Sequence, residues 1–400
     1  MLAPVLRRSL PRRRAAIRGA IGPVAAVSVA TCTIMALAGC TASPAPADPL
    51  EPTVLVSVDS CGQGWTTPTA GAQRMTIRNV DSRAGEVYLT DAQSGAVYAD
   101  IDPIGPGTQT EMDITLTAGA YAFRCAMEDE GTVTGPTATV VGTATDAATP
   151  VAAVSQADLV PATLQYEKYV TDRLPVLARL TSTLRADLAA GDLEAARADW
   201  LPAHVEYETL GAAYGAFGDL DDRIDGLPNG LPRGPADPAW TGFHRVEFGL
   251  WHGEAASTLA PLGDDLASAV SDLSDTFAHA QIDPLQISLR AHEITENAVQ
   301  FELTSATDFG SDSNLATISA NLEGTTTVID ILAPLLASRD PGFSRMRAHL
   351  DSTRADVPAA GSDLRALPLA TRQRLDADLS QLAEDLAPVA ALLDPRRVDQ

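Results

Sequence analysis

The hydrophobic periodicity of the chain changes once, near residue 159, and this change limits the fold more than any other feature. Before it, short segments alternate apolar and polar residues or run in β-branched and aromatic residues, with Gly, Pro and Asn between them. The predicted strands are 53–59, 73–80, 86–92, 110–119 and 120–127. Short strands at this spacing are typical of a β-sandwich or a Greek-key barrel. We therefore predict an all-β domain over residues 51–142.

After the change, apolar residues recur at helical spacing, and no strand pattern follows residue 160. Two helical segments lie before a Gly-, Pro- and Asp-rich loop that is predicted from 219 to 238. Further helices are predicted near 256–280, 283–304, 313–338, 342–355 and 362–394. The pattern predicts an all-α bundle of seven or eight helices over 159–396, joined to the β domain by an Ala/Thr-rich linker at 143–158.

The N-terminus has the pattern of an export signal. Six arginines and no acid lie in residues 1–18, and an apolar run follows from about Gly19 to Leu37. The run ends in LAGC, which resembles the bacterial lipobox, so we predict a leader over 1–39 and a lipidated Cys40. The alternative is an ordinary cleaved signal peptide, and the adjacent arginines leave the export route open between the Sec and Tat pathways. The Pro-rich residues 40–50 are predicted to form a flexible tether.

Charge and cysteine content narrow the classes of partner. The whole chain has a net charge of −24, and loss of the leader makes it about −30, a surface that disfavours nucleic acid and anionic lipid and favours cations. Of the four cysteines, Cys32 leaves with the leader and Cys40 takes the lipid. Cys61 and Cys125 remain, and an even pair in an exported protein is by default a disulfide.

Imidazoles occur beside carboxylates in the helical half, which contains all six histidines of the chain. The pairs are His204 with Glu208, His244 with Glu247, and His292 with Glu296, each three or four residues apart and therefore on one face of a helix. The segment FGDLDDRID adds Asp219, Asp221, Asp222 and Asp225 between the first two pairs. Nitrogen and oxygen donors of this kind suit iron or zinc.

The alternative without a metal is that such pairs are solvated pairs on the protein surface and that the aspartates cap helices. The sequence around His244 argues against it at that position. Phe243, Val246, Phe248 and Leu250 leave few polar faces, so the pair with Glu247 is predicted to point into the bundle. A buried charge needs a partner there, and a metal ion is one.

Three segments carry a resemblance to a known family. GFHRVEFGLW resembles the G-x-H-x-x-E motif of imelysin-like domains. WLPAHVEYETLGAAYGAFGDLDDRIDG and RAHEITENAVQFEL resemble the other two signature segments of the EfeO branch. The resemblance implies an N-terminal cupredoxin-like domain followed by an imelysin-like (M75) helical domain. It also implies an exported iron-binding component of an Efe-type uptake system, working with a membrane permease (EfeU) and a haem peroxidase (EfeB).

The motif match implies which residues bind metal. By this match, His244 and Glu247 are the first ligands. Glu208 and Asp222 are the next choices, from the neighbouring helix and loop, and His204 and Asp219 are weaker candidates. The cargo implied is iron, as Fe²⁺ or Fe³⁺, with copper or zinc as alternatives. Hard oxygen ligands favour the ferric ion.

The β domain tests the cupredoxin-like resemblance. A blue-copper site needs two histidines and a cysteine, and residues 51–142 contain no histidine, which argues against electron transfer through type 1 copper. Two alternatives stay open for Cys61 and Cys125. They form a disulfide, or they join Glu86 and Glu128 in a second, thiolate–carboxylate metal site.

Two other functions compete with iron binding. A zinc peptidase is one, because some imelysin relatives are classed as peptidases; however, HEITE at 292–296 has Glu296 where the H-E-x-x-H motif needs its second histidine. A copper-handling surface protein is the other. We therefore predict a binding protein and not an enzyme.

Overall fold

The computed structural model describes residues 51–359 and 362–397. The predicted leader (1–39), the tether (40–50) and the lipidation site Cys40 lie outside the described residues. Within them, a β-rich region precedes a helical region, so the order predicted from the periodicity is confirmed.

Two sheets form the β-rich region. The strands are β1 (Thr53–Ser57), β2 (Ser60–Gln63), β3 (Gly71–Asn79), β4 (Gly85–Asp91), β5 (Val97–Ile104), β6 (Gln109–Leu116), β7 (Gly119–Met127), β8 (Thr132–Thr134) and β9 (Ala138–Val140). One sheet has the order β2-β1-β3-β6, in which β1 and β3 are parallel. The other has the order β5-β4-β7-β8, and β9 also pairs with β7. Alternating apolar side chains of both sheets, such as Val54 and Val87, share one core.

Four strands were not predicted from the sequence, and each has a local reason. β8 and β9 have three residues each and β2 has four, too few to show an alternation. β5 contains Asp100, Asp102 and Pro103, which break the apolar pattern. It is an edge strand of its sheet, where proline and exposed polar residues are tolerated.

The helical region contains both long and short α-helices. The α-helices are α1 (Gln156–Ala190), α2 (Leu193–Glu208), α3 (Tyr214–Phe217), α4 (Asp219–Asp225), α5 (Phe243–Trp251), α6 (Ala256–Phe277), α7 (Pro284–Asn297), α8 (Asn314–Leu336), α9 (Phe343–Asp356) and α10 (Leu369–Leu392). A π-helical turn, Ala298–Glu302, continues α7. α1 packs against α2 and α6, and α7 packs against α8 and α10.

Helical residues also occur in two segments that the sequence predicted to be non-helical. α1 begins inside the segment predicted as a linker, because Ser155 and Asp158 form a capping box. α4 lies inside the segment predicted as a loop from 219 to 238. Its inward face holds the buried Ile224 and the partly buried Asp221 and Asp225, which are four residues apart and lie on the same side of the helix.

The C-terminal residues contact the β-rich region. The Arg397 guanidinium donates to Glu86 at 2.9 Å and to the carbonyls of Ala126 and Met127, and Arg396 pairs with Asp100 at 2.6 Å. Among residues 51–359 and 362–397, no helix is both long enough and apolar enough to cross a membrane.

Candidate metal centre

α2 supplies one imidazole and one carboxylate to a buried cluster in the bundle. His204 and Glu208 lie one turn apart, and His204 Nε2 is 3.1 Å from Glu208 Oε1. His204 is 1% exposed. Its ring stacks on Trp200, at a centroid distance of 4.7 Å, and the Trp200 indole N–H donates to the Phe243 carbonyl at 3.0 Å. The aromatic contact therefore fixes His204 and ties α2 to the start of α5.

α5 supplies the second imidazole. His244 and Glu247 are both buried, as the apolar sequence around them predicts. The helix follows Gly242, whose φ is +88°, and a Cβ at this position would lie 2.4 Å from the Ile224 carbonyl oxygen. Glycine therefore lets the end of α4 approach the start of α5, which brings Asp225 to the histidines.

Asp225 joins the two imidazoles. Its Oδ1 lies 3.2 Å from His204 Nε2, and its Oδ2 lies 3.6 Å from His244 Nε2. The two rings are 5.2 Å apart between centroids, and the three residues offer donor atoms that lie within 4.8 Å of one another. Transition-metal bonds to nitrogen and oxygen are about 2.0–2.2 Å long, so donors at these separations can share one ion after small side-chain adjustments.

Without a metal, the cluster is held together by charge. Burial lowers the pKa of His244, but the Asp225 and Glu247 carboxylates outweigh it and raise this pKa to about 10. The pKa of His204 is also raised well above its ordinary value, because Asp225 and Glu208 outweigh the cost of burial. Burial would raise the pKa of Asp225, but the two imidazolium rings lower it strongly. In the metal-free protein, the protonated histidines therefore stabilise the ionised carboxylates around them.

Two further acids lie around this cluster. Asp221 accepts a hydrogen bond from the Tyr207 hydroxyl, and burial is the main cause that raises the pKa of Asp221 to about 7. Burial and the nearby Glu208 raise the pKa of Glu302, in the π-helical turn, to about 7 as well. Glu302 accepts a hydrogen bond from Thr307 at 2.8 Å. Cations and protons therefore compete for a buried, acid-rich interior.

The residues predicted from the sequence fall into two groups. His204, Glu208, His244 and Glu247 are all buried and belong to one cluster. Asp219 and Asp222 are exposed on α4 and do not belong to the group formed by His204, Asp225 and His244. Asp225 takes the position that the sequence prediction gave to Asp222. Its spacing of four residues from Asp221 and its position after the apolar Ile224 are the signals that could have identified it.

The second metal site predicted in the β-rich region is not assembled. Cys61 and Cys125 form a disulfide, so neither sulfur is free to bind a metal as a thiolate. Glu86 pairs with Ala126 in the sheet, one residue from the Val87–Cys125 pair, and therefore lies on the opposite face from Cys125. Glu86 binds Arg397 and Tyr88, and Glu128 is exposed. The disulfide is the alternative that the structure supports.

The sequence matches a known family over most of the helical region. The family model Peptidase_M75, described as Imelysin, matches residues 162–389, which include every residue of the buried cluster. The chain belongs to the imelysin family. The resemblance that GFHRVEFGLW carries in the sequence is therefore confirmed.

Relatives of this imelysin align along nearly their whole length. A protein named "Iron uptake system component EfeO" from Escherichia coli strain K12 is 28% identical over 358 residues, covering 87% of this chain and 92% of its own. The protein of the same name from Shigella flexneri has the same identity and coverage. An imelysin-like protein from Psychrobacter arcticum 273-4, solved as a crystal structure, is 15% identical, covers 60% of this chain and 98% of its own, and has a TM-score of 0.47.

Proposed function

We propose that this protein is the iron-binding component of an Efe-type iron uptake system. The observation that carries the proposal is the group of His204, Asp225 and His244, in which two buried imidazoles and a partly buried carboxylate from three different helices offer donor atoms within 4.8 Å of one another. Their burial costs free energy unless the charges are satisfied, and a metal ion satisfies all three at once. The relatives named as iron uptake components make iron the first candidate cargo.

His204, Asp225 and His244 are the proposed ligands, with Glu208 as the fourth. Glu208 Oε1 already lies beside His204 Nε2, so a small rotation would bring it onto the same ion. Two imidazoles and two carboxylates suit Fe²⁺, and the carboxylate oxygens also accept Fe³⁺. The exposed Asp219 and Asp222 lie on the outer face of α4 and would raise the local concentration of cations at the surface near the cluster.

The remaining parts of the proposal concern location and partners. We place the mature protein on the outer face of the cell membrane or in the periplasm, anchored through a lipid on Cys40. It would pass iron to a permease of the EfeU type, in a system that includes an EfeB-type haem peroxidase. The β-rich region would be a cupredoxin-like domain that docks or relays, since its cysteines are paired and it contains no histidine. The net charge of −24 supports the exclusion of nucleic acid as a partner.

The test is elemental analysis and titration of the mature protein with Fe²⁺ under nitrogen, Fe³⁺-citrate, Zn²⁺ and Cu²⁺. We expect one iron per chain, and loss of binding in His204→Ala and His244→Ala. His349→Ala is the matched control. His349, on α9, pairs with Asp385 on α10 and does not belong to the group of His204, Asp225 and His244. Equal binding in all three variants would refute the site.

The same samples separate the competing functions. A zinc peptidase would retain zinc and cleave casein, and a copper-handling protein would prefer copper at the same stoichiometry. We expect no cleavage, because HEITE lacks the second histidine of the peptidase motif, and His292 on α7 instead contacts Glu296 and the Ala383 carbonyl. We expect iron rather than copper, because the relatives are named as iron uptake components.

A further inference from the structure

The hydrogen bonds of Glu247 assign it a role different from that of a metal ligand. Its side chain is fully buried, and its Oε1 accepts three hydrogen bonds. The donors are the Phe309 backbone N–H at 2.9 Å, the Ser311 backbone N–H at 3.1 Å and the Ser311 hydroxyl at 2.6 Å. A carboxylate oxygen has about two lone pairs, so Oε1 has no capacity left for a metal.

The second oxygen of Glu247 faces the ring of His244 from behind. Oε2 lies 3.3 Å from His244 Nδ1, while the opposite ring nitrogen, Nε2, faces Asp225. Glu247 therefore contacts one ring nitrogen of His244, and Asp225 faces the other. In metalloproteins this order of carboxylate, histidine and metal fixes the tautomer and the orientation of the imidazole.

The segment that supplies the three donors is itself organised. Asp308, whose side chain is 1% exposed, accepts hydrogen bonds from the Gly310 and Ser313 backbone N–H groups and from the Asn314 amide. Gly310 has φ of +123°, and a Cβ there would lie 2.8 Å from Trp251 Cβ. Only glycine allows this segment to lie so close to the end of α5. The donors are therefore in place before any metal arrives.

The other imidazole of the cluster is oriented by different means. His204 Nδ1 is buried without a hydrogen-bond partner among the described residues, and its ring is held by stacking on Trp200. The cluster thus contains one histidine with a carboxylate behind it and one without. The difference indicates that Glu247 acts on His244 specifically.

We propose that Glu247 is a positioning residue: it holds the His244 ring through Nδ1, so that Nε2 binds the metal, while residues 308–311 hold Glu247. This inference rests on the proposed function, since it assigns a role within the same metal centre. It changes the meaning of the H-x-x-E spacing in this chain, because the glutamate then supports the histidine from outside the coordination sphere.

The decisive experiment compares Glu247→Gln with the wild-type protein and with Asp225→Asn, using Fe²⁺ and Co²⁺. A glutamine cannot accept from Phe309, Ser311 and His244 at once, because its amide nitrogen must face one of these donors. We expect affinity for both metals to fall about 10- to 100-fold in Glu247→Gln, while the X-ray absorption fine structure of iron and the visible spectrum of Co²⁺ keep the wild-type number of ligands. Asp225→Asn should change both spectra, because a ligand is altered.

Ser311→Ala and a zinc-loaded sample complete the test. Ser311→Ala removes one of the three donors to Oε1 and should weaken Co²⁺ binding a few-fold. Ser319→Ala, whose hydroxyl donates to the Leu315 carbonyl within α8, should leave it unchanged. Nitrogen-15 spectra of histidine in the zinc-loaded wild-type protein should show His244 bound through Nε2 with a proton on Nδ1. Loss of one oxygen ligand in Glu247→Gln, zinc on Nδ1, or wild-type affinity in Glu247→Gln would overturn the inference and leave the proposed function standing. A wild-type protein that binds no metal would overturn both.

Discussion

Metal binding to this centre should release protons, because the metal takes nitrogen lone pairs that hold protons in the metal-free protein. His204 and His244 both have a raised pKa, the latter to about 10, through their contacts with Asp225 and their neighbouring glutamates. At pH 7 both rings are therefore protonated. An imidazole binds a metal only after it has lost the proton from the coordinating nitrogen.

The size of this effect on metal affinity follows from the number of protons released and from the raised histidine pKa. With a pKa of about 10, the neutral form of His244 is present in about one molecule in a thousand at pH 7. Deprotonation of this ring therefore weakens metal binding by on the order of 4 kcal/mol. We expect about two protons to be released per ion at pH 7, and the apparent affinity to rise about 100-fold for each pH unit in this range.

The assay is calorimetric titration with Fe²⁺ under nitrogen, in buffers that differ in ionisation enthalpy, at pH 6.5, 7.0 and 7.5. The slope of the observed enthalpy against the buffer enthalpy gives the number of protons. Asp225→Asn should reduce this number, because the carboxylate that raises both histidine pKa values becomes neutral. Release of no proton by the wild-type protein, together with an affinity that does not change with pH, would refute the reasoning.

Three other predictions concern single contacts. Asp225→Asn should lower iron affinity at least 100-fold, whereas Asp222→Asn, on the exposed side of the same helix, should change it less than threefold in the same titration. Cys125→Ser removes a disulfide between residues 64 apart in sequence, so we expect the β-rich region to be destabilised by about 3–4 kcal/mol. Chemical denaturation followed by Trp fluorescence measures this, and unchanged stability would contradict the prediction. Arg397→Ala removes donors to Glu86 and to two carbonyls of β7, so amide hydrogen exchange should become faster in residues 124–127. Protection equal to that of the wild type would show that these hydrogen bonds contribute little.

The pH dependence of metal-free stability follows from the same charges. A raised histidine pKa stabilises the folded state fully below about pH 6.5, and this contribution is lost as the pH rises toward 10. The lowered pKa of Asp225 stabilises above about pH 4 and is lost at lower pH, as Asp225 becomes protonated. The raised pKa values of Asp221 and Glu302 cost stability progressively between about pH 4 and 7. Thermal melts of the metal-free protein should therefore show stability that declines from pH 6 to pH 9.

Much of the candidate site could be predicted from single helices. His204 with Glu208, and His244 with Glu247, are three or four residues apart, and helix geometry places such residues on one face whatever the rest of the fold does. The apolar residues around His244 correctly predicted that this face is buried. The change from strand to helix periodicity likewise separated the β-rich region from the helical region.

Other features depended on which elements come together. FGDLDDRID contains four aspartates. The sequence predicts Asp219 and Asp222 as ligands, whereas the structure turns Asp225 toward the two histidines. The segment was predicted to be a loop, so its inward face could not be assigned. The choice between a disulfide and a thiolate site was also open, because it requires the distance between β2 and β7.

By itself, the sequence determined the order of β before α, the faces of the long helices and the imidazole–carboxylate pairs within α2 and α5. All of these are set by the fixed rise and rotation between neighbouring residues. The tertiary structure alone decided that Asp225 joins the two histidines, that Cys61 pairs with Cys125, and that both oxygens of Glu247 are already occupied. Those contacts join residues far apart in the chain, and their distances depend on how whole helices and strands pack against one another.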